Sequence, residues 1–152
     1  MLDTVFAILH HLLIFALLAG LAMEFALTRD GMRVSAMRRL FRVDIAYGVA
    51  SILVIIVGVC RVIWGIKGAD YYLHNLFFWL KMTAFLSVGL CSIKPTLTFL
   101  AWRRASNLDE AYLPKPEDVR AVRRWLGREL ALFPLIPVFA ALMARYPAYI
   151  GF

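Results

Sequence analysis

Four residues are costly where this sequence puts them. His10, Arg61, Lys81 and Arg145 each sit in, or at the end of, a long apolar segment. A charged side chain at mid-bilayer costs about 2.5–3.5 kcal/mol on insertion scales, so such a group should face a partner inside a bundle or reach out to the headgroups. Their depths agree. Counted from Asp3, His10 lies about 10 Å along a helix, and Lys81 counted from Asn75 lies at nearly the same level. Arg61 stands just before Gly65, and Arg145 closes the last segment. The acidic groups at that level are Asp3, Asp70 and the C-terminal carboxylate of Phe152, too few to balance the set. An imidazole ligates metal and cations hold carboxylates, so the four together suit an anionic, metal-bearing molecule. Haem b has that character, because its iron takes an imidazole and its propionates take cations. The expectation is His10 as axial ligand to the metal, with Arg61, Lys81 and Arg145 on the propionates. The blander account lets both arginines snorkel, pairs Lys81 with Asp70 or the C-terminus, and leaves His10 hydrogen-bonded to a neighbour.

The elements that would position these groups are membrane spans. Of 152 residues, 62% are hydrophobic and the mean hydropathy is +0.75, well above the range of soluble domains. A helix needs roughly 20 apolar residues to cross the hydrocarbon core. Four segments qualify, at about Thr4 to Thr28, Asp44 to Trp64, Asn75 to Trp102 and Glu129 to Arg145. Pro134 and Pro137 predict a bend in the fourth. Before it, Pro116, Glu117 and Asp118 make a helix start, and Val119, Val122, Leu126 and Leu130 recur opposite Arg120, Arg123 and Arg124. This pattern predicts a basic amphipathic helix lying on the inner membrane surface. The fold class expected is therefore all-α, an integral membrane four-helix bundle over 1–152 with an additional basic amphipathic helix before the last span.

Charge placement predicts the orientation. Arg29, Arg33, Arg38, Arg39 and Arg42 lie between the first and second segments. Between the third and fourth lie Arg103, Arg104, Lys115, Arg120, Arg123, Arg124 and Arg128, whereas the middle link offers only Lys67. Basic links stay in the cytoplasm, which puts both termini outside a bacterial inner membrane. The net charge of +7 thus reads as topology, and no nucleic-acid partner is expected. The first segment lacks a basic lead and a small-residue cleavage site, so it is expected to stay as a helix. Cys60 and Cys91 fall in different spans with no CxxC or haem-attachment pattern and are expected to be small apolar residues.

Angular position refines this picture at 100° per residue. His10 is about 40° from Glu24 and His11 about 140°, so His10 is the inward ring if Glu24 points inward, and His11 a structural or interface residue. His74, Lys81 and Ser92 share a stripe, and Lys94 is opposite. Gly48, Ser51 and Gly58 form a small-residue stripe suited to close helix approach and compatible with a homo-oligomer. Toward the inner side, Glu24, Asp44 and Glu129 occur near Arg42, Lys94 and Arg128, which predicts a structural salt-bridge network. Pro95 is expected to break the third helix locally, with Thr96 satisfying a freed carbonyl.

With these residues laid out, the chain resembles the bacterial membrane proteins grouped as DUF2214, a domain of unknown function. The resemblance rests on "LHHL" (9 to 12), "RVDIAYG" (42 to 48), "GVCRVIWGIKGADYYLHN" (58 to 75), "FFWLKM" (77 to 82), "SIKPT" (92 to 96), "WRR" (102 to 104) and "ALMAR" (141 to 145). It implies a four-helix membrane protein and names no reaction. A more distant likeness, in an early helix-one His and a helix-three Lys, is to the bacterial membrane protoporphyrinogen IX oxidases. That likeness implies b-type haem bound through His10 and Lys81, with porphyrin oxidation or electron transfer and a quinone or porphyrin as partner besides the lipid bilayer. Trp79 stands where that family has a second His, and His74 is the substitute ligand the sequence offers. Two other classes compete: a non-haem transporter or anion-binding protein using the same cationic ring, and a non-catalytic membrane scaffold.

Overall fold

Long runs of Leu, Ala, Ile and Val, broken by few residues that disfavour helix, dictate the architecture. The computed structural model describes residues 2–109, 111–146 and 148–150; Phe152, counted above among the outer carboxylates, lies outside the described residues. Six helices follow in order: α1 (Leu2–Leu27), α2 (Val34–Trp64), α3 (Gly68–Leu73), α4 (Leu76–Leu108), α5 (Pro116–Leu132) and α6 (Leu135–Arg145). Helices α1, α2 and α4, together with the α5–α6 stretch Pro116–Arg145, are long and apolar enough to cross a membrane. This is an all-helical membrane bundle.

Gly31 makes the first reversal, at φ +70°, a left-handed conformation that glycine adopts without steric cost. There α1 turns back so that α2 packs along its length; α4 lies against α2, and α5 and α6 lie against α4, with α5 also touching α1. The core where they meet includes Leu17, Leu21, Leu40, Val54, Val88, Phe99, Trp102 and Leu126. Many other large apolar side chains remain exposed, among them Leu12, Phe15, Ile52, Leu86 and Leu97. That outward apolar surface is what a helix presents to lipid.

Two expectations about helix continuity come out differently. Pro95 does not break α4, which runs through it with Pro95 buried. A transmembrane helix tolerates the missing N–H when its neighbours enclose the site. Thr96 serves another helix, its hydroxyl donating to Asp44 Oδ1 at 2.6 Å. The fourth span is interrupted at Pro134: α5 ends at Leu132, and α6 begins after Phe133 and Pro134.

The amphipathic helix is present too, but its apolar face has another partner. Val119, Val122 and Leu126 are buried in the core they share with α1 and α4. Arg123 donates from Nη1 to the carbonyl of Phe25 at 3.0 Å and to that of Thr28, and stacks on the Phe25 ring at 4.2 Å. A helix leaves its last carbonyls unpaired and its C-terminus partly negative, and Arg123 answers both needs for α1. Docking onto the bundle, rather than onto lipid, follows from that match.

At the opposite end the link between α2 and α4 is tied down. Tyr71 donates to the Met143 carbonyl at 2.5 Å and receives a bond from Lys67 at 3.1 Å. Asn75 caps α4 by accepting from Phe77 N at 2.9 Å. The tail pairs with the same corner, Leu76 N donating to Ala148 O at 2.9 Å and Ile150 N to His74 O at 2.8 Å. These bonds hold the first turn of α4 in place, and Lys81 follows within the next two turns.

Candidate functional site

His10, Arg61 and Lys81 line one cavity. Its volume is about 230 Å³, and its walls come from α1, α2, α4 and α6, with Tyr72 of α3; Ile14, Val54, Phe78 and Phe85 are among its apolar lining. Ile55, Val59 and Met82 also line it while standing 48%, 51% and 37% exposed, so it opens sideways onto the lipid-facing surface. The result is an apolar slot with three cationic or imidazole groups.

Each group gets there by a legible route. On α1, His10, Leu17, Leu21 and Glu24 fall within about 60° of one another. The last three are buried, so the packing of that face turns His10 inward. Gly58 lies against the ring on α2, where an added Cβ would stand in van der Waals contact at 3.4 Å from Cε1. Its stripe partner Gly48 has nothing within 4 Å, so close approach is confined to Gly58. Lys81 is held by α4 with its ammonium 5.2 Å from the Phe78 ring centre.

The site leaves polar atoms unanswered. His10 Nδ1 and Arg61 Nε are buried without a hydrogen-bond partner among the described residues. The ion pair found among the described residues, His74 with Asp70 at 3.1 Å, lies outside the cavity lining and involves neither Arg61 nor Lys81. Two cations and an imidazole thus share an apolar slot with no carboxylate of the described residues within ion-pair distance of Arg61 or Lys81; Asp3, in the first turn of α1, has its Oδ1 beside Gly65, one turn beyond Arg61.

Other candidates go elsewhere. Arg145 does not line the cavity; it is exposed at the last residue of α6, where a long cationic side chain reaches outward rather than into the bundle, so the ring of four becomes a set of three. His11 is exposed, and its Nδ1 lies 2.6 Å from the Ala7 carbonyl. His74 is turned to Asp70, with Nδ1 3.0 Å from its carbonyl, and is not among the residues lining the slot. Trp79 binds the Leu73 carbonyl at 2.9 Å through its indole N–H. Cys60 and Cys91 are free and half-buried.

Comparison with known families fits this layout. The family described as "Predicted membrane protein (DUF2214)" matches residues 2–146. The chain belongs to that family. No curated protein and no solved structure matches it. In this DUF2214 protein the match spans the three cavity groups, the carboxyls of the opposite half and all six helices.

The salt-bridge network expected of Glu24, Asp44 and Glu129 with Arg42, Lys94 and Arg128 is not formed among the described residues. Glu24, Asp44 and Glu129 are buried at 2%, 6% and 0% exposure, whereas Arg42, Lys94 and Arg128 are exposed, Arg128 lying over the Trp125 ring at 4.6 Å. The reason is angular: Arg42 is two residues from Asp44, about 200° around the helix, and Arg128 is one residue from Glu129. Depth matched these charges; facing separated them. The carboxyls meet Thr96 and Tyr47 instead, the Tyr47 hydroxyl donating to Glu129 Oε2 at 3.5 Å. Tyr47 was missed as a polar core residue, although its spacing of three from Asp44 places both on one face.

Proposed function

We propose that the cavity binds an amphiphilic, negatively charged molecule from the outer half of the membrane, and that this molecule is a b-type haem or related porphyrin serving electron transfer or porphyrin oxidation. The observation that carries the reading is the convergence of His10, Arg61 and Lys81 in an apolar slot where His10 Nδ1 and Arg61 Nε have no hydrogen-bond partner among the described residues. The donor set suits such a ligand: an imidazole for a metal and two cations for carboxylates. The slot's volume is below the roughly 300–1,000 Å³ of typical ligand sites, so the polar edge of a macrocycle would be enclosed and the rest would reach lipid past Ile55, Val59 and Met82.

When bound, haem supplies one-electron chemistry. The residues of this chain do the rest: His10 orients and ligates, Lys81 and Arg61 neutralise, and the apolar walls exclude water. The basic end would face the cytoplasm, placing this slot in the outer leaflet of a bacterial inner membrane.

Haemin titrated into the purified protein should develop a Soret band that saturates, and His10→Ala should weaken that binding at least tenfold while the protein stays folded by circular dichroism. A titration with no specific band, or an unchanged one in His10→Ala, refutes the assignment of His10. The small volume favours a second reading, a single-ring quinone headgroup whose carbonyl oxygens accept from Lys81 and the His10 ring. In that case the organic extract of the purified protein contains quinone, lost in Lys81→Met, and haemin leaves no specific band.

A further inference from the structure

Three carboxyl side chains from three helices come together in the opposite half of the bundle, and the cations predicted to balance them point outward. We propose that Glu24, Asp44 and Glu129, with Tyr47 and Thr96, form a proton-binding site that exchanges with the basic end of the molecule past Thr28. The site stands apart from the outer slot, because Leu17 and Leu21 occupy the same face of α1 between His10 and Glu24, both at 1% exposure or less.

Geometry carries this assignment. Glu24 and Glu129 are each at least 98% buried, and each keeps one carboxyl oxygen, Oε1, without a hydrogen-bond partner among the described residues. Contacts of Tyr47 bring the three together: its hydroxyl donates to Glu129 Oε2 at 3.5 Å, it lies three residues from Asp44 on one face of α2, and its ring packs against Gly20, one turn before Glu24 on α1. Three bare carboxylates cannot share an apolar interior, since burying even one isolated carboxylate is prohibitive unless its charge is neutralised. No ion pair of Glu24, Asp44 or Glu129 is present among the described residues: α2 brings Tyr47, α4 brings Thr96, and of the α5 cations Arg123 is engaged by the Phe25 and Thr28 carbonyls and the Phe25 ring, whereas Arg128 is exposed and lies over Trp125. A proton needs no coordination sphere and fits among the buried neighbours Leu21 and Leu126.

The route is marked by one residue. Thr28 is four residues beyond Glu24, and therefore one turn nearer the basic end on the same face. It is 0% exposed, and its Oγ1 is also unpartnered. The exposed residues Arg29 and Asp30 follow it. A proton from water would pass by way of the Thr28 hydroxyl to a carboxylate oxygen and leave by the same path, with only O–H bonds made and broken.

Infrared spectra of the full chain in detergent at neutral pH test this. A protonated-carboxyl C=O stretch should be present, should shift in D2O, and should fall by a third or more in Glu24→Gln and again in Glu129→Gln. Thr28→Val should slow its D2O shift severalfold. Should either Gln variant not fold, Asp44→Asn and Tyr47→Phe give the same readout through loss or displacement of the band. A wild-type spectrum lacking the band, or one unchanged by these replacements, overturns the proposal. So does a sodium-dependent rise in melting temperature that disappears in Glu129→Gln, which would assign the carboxylates to a metal cation. Haem binding in the outer slot has no bearing on any of these outcomes.

Discussion

Lys81→Met is expected to abolish ligand retention in the cavity and, in the same protein, to raise the stability of the ligand-free state by about 1 kcal/mol. The insertion cost of a cation is about 2.5–3.5 kcal/mol at the bilayer centre and smaller at the shallower, partly exposed position of Lys81, which lacks a described carboxylate partner. Met keeps the length and fills the apolar walls around Phe78, Met82 and Phe85 while removing the charge. The two effects have opposite signs, and that contrast is diagnostic. A lysine retained for packing or for a structural ion pair would give a less stable variant with unaltered binding. Thermal melting in detergent, paired with the haemin titration, reads both. Stability given up for a binding group is the usual trade at functional sites.

Gly58→Leu is expected to close the slot. Even a single methyl at this position would meet His10 Cε1 at 3.4 Å and Nδ1 at 3.8 Å, so the branched side chain must push the ring aside or occupy the volume a ligand would take. Binding should fall by more than tenfold while helix content is unchanged, because leucine is a better helix former than glycine. Gly58→Ala, adding only the methyl, should weaken binding by a smaller factor. The graded pair is read by titration and circular dichroism. Equal binding in Gly58→Leu and the parent would place the ligand elsewhere.

Both expectations depend on facing, and facing is also where the sequence was more and less legible. Depth counting from Asp3 and Asn75 put His10 and Lys81 at one level, and the 100° rule turned His10 rather than His11 inward; their common cavity bears out both steps. Depth alone was insufficient for Arg145, which ends α6 exposed and outside the cavity lining. It was insufficient again for Arg42, Lys94 and Arg128, which share the level of Glu24, Asp44 and Glu129 but not their faces. The angular separation of Arg42 from Asp44 was computable from spacing. What spacing could not supply was the partner of α5: its apolar stripe is equally suited to lipid or to protein. Arg123 reaching the open carbonyls of α1 is a tertiary match between residues some hundred positions apart. Thr96 is similar, choosing Asp44 over its own helix.

If His10, Arg61 and Lys81 meet to hold a haem-like anion, the protein isolated from its own membranes absorbs in the Soret region. That band should copurify in constant ratio to protein and be missing from the His10→Ala and Gly58→Leu preparations. A colourless, porphyrin-free preparation of folded protein, made from cells supplied with haem, would contradict that role for the three residues.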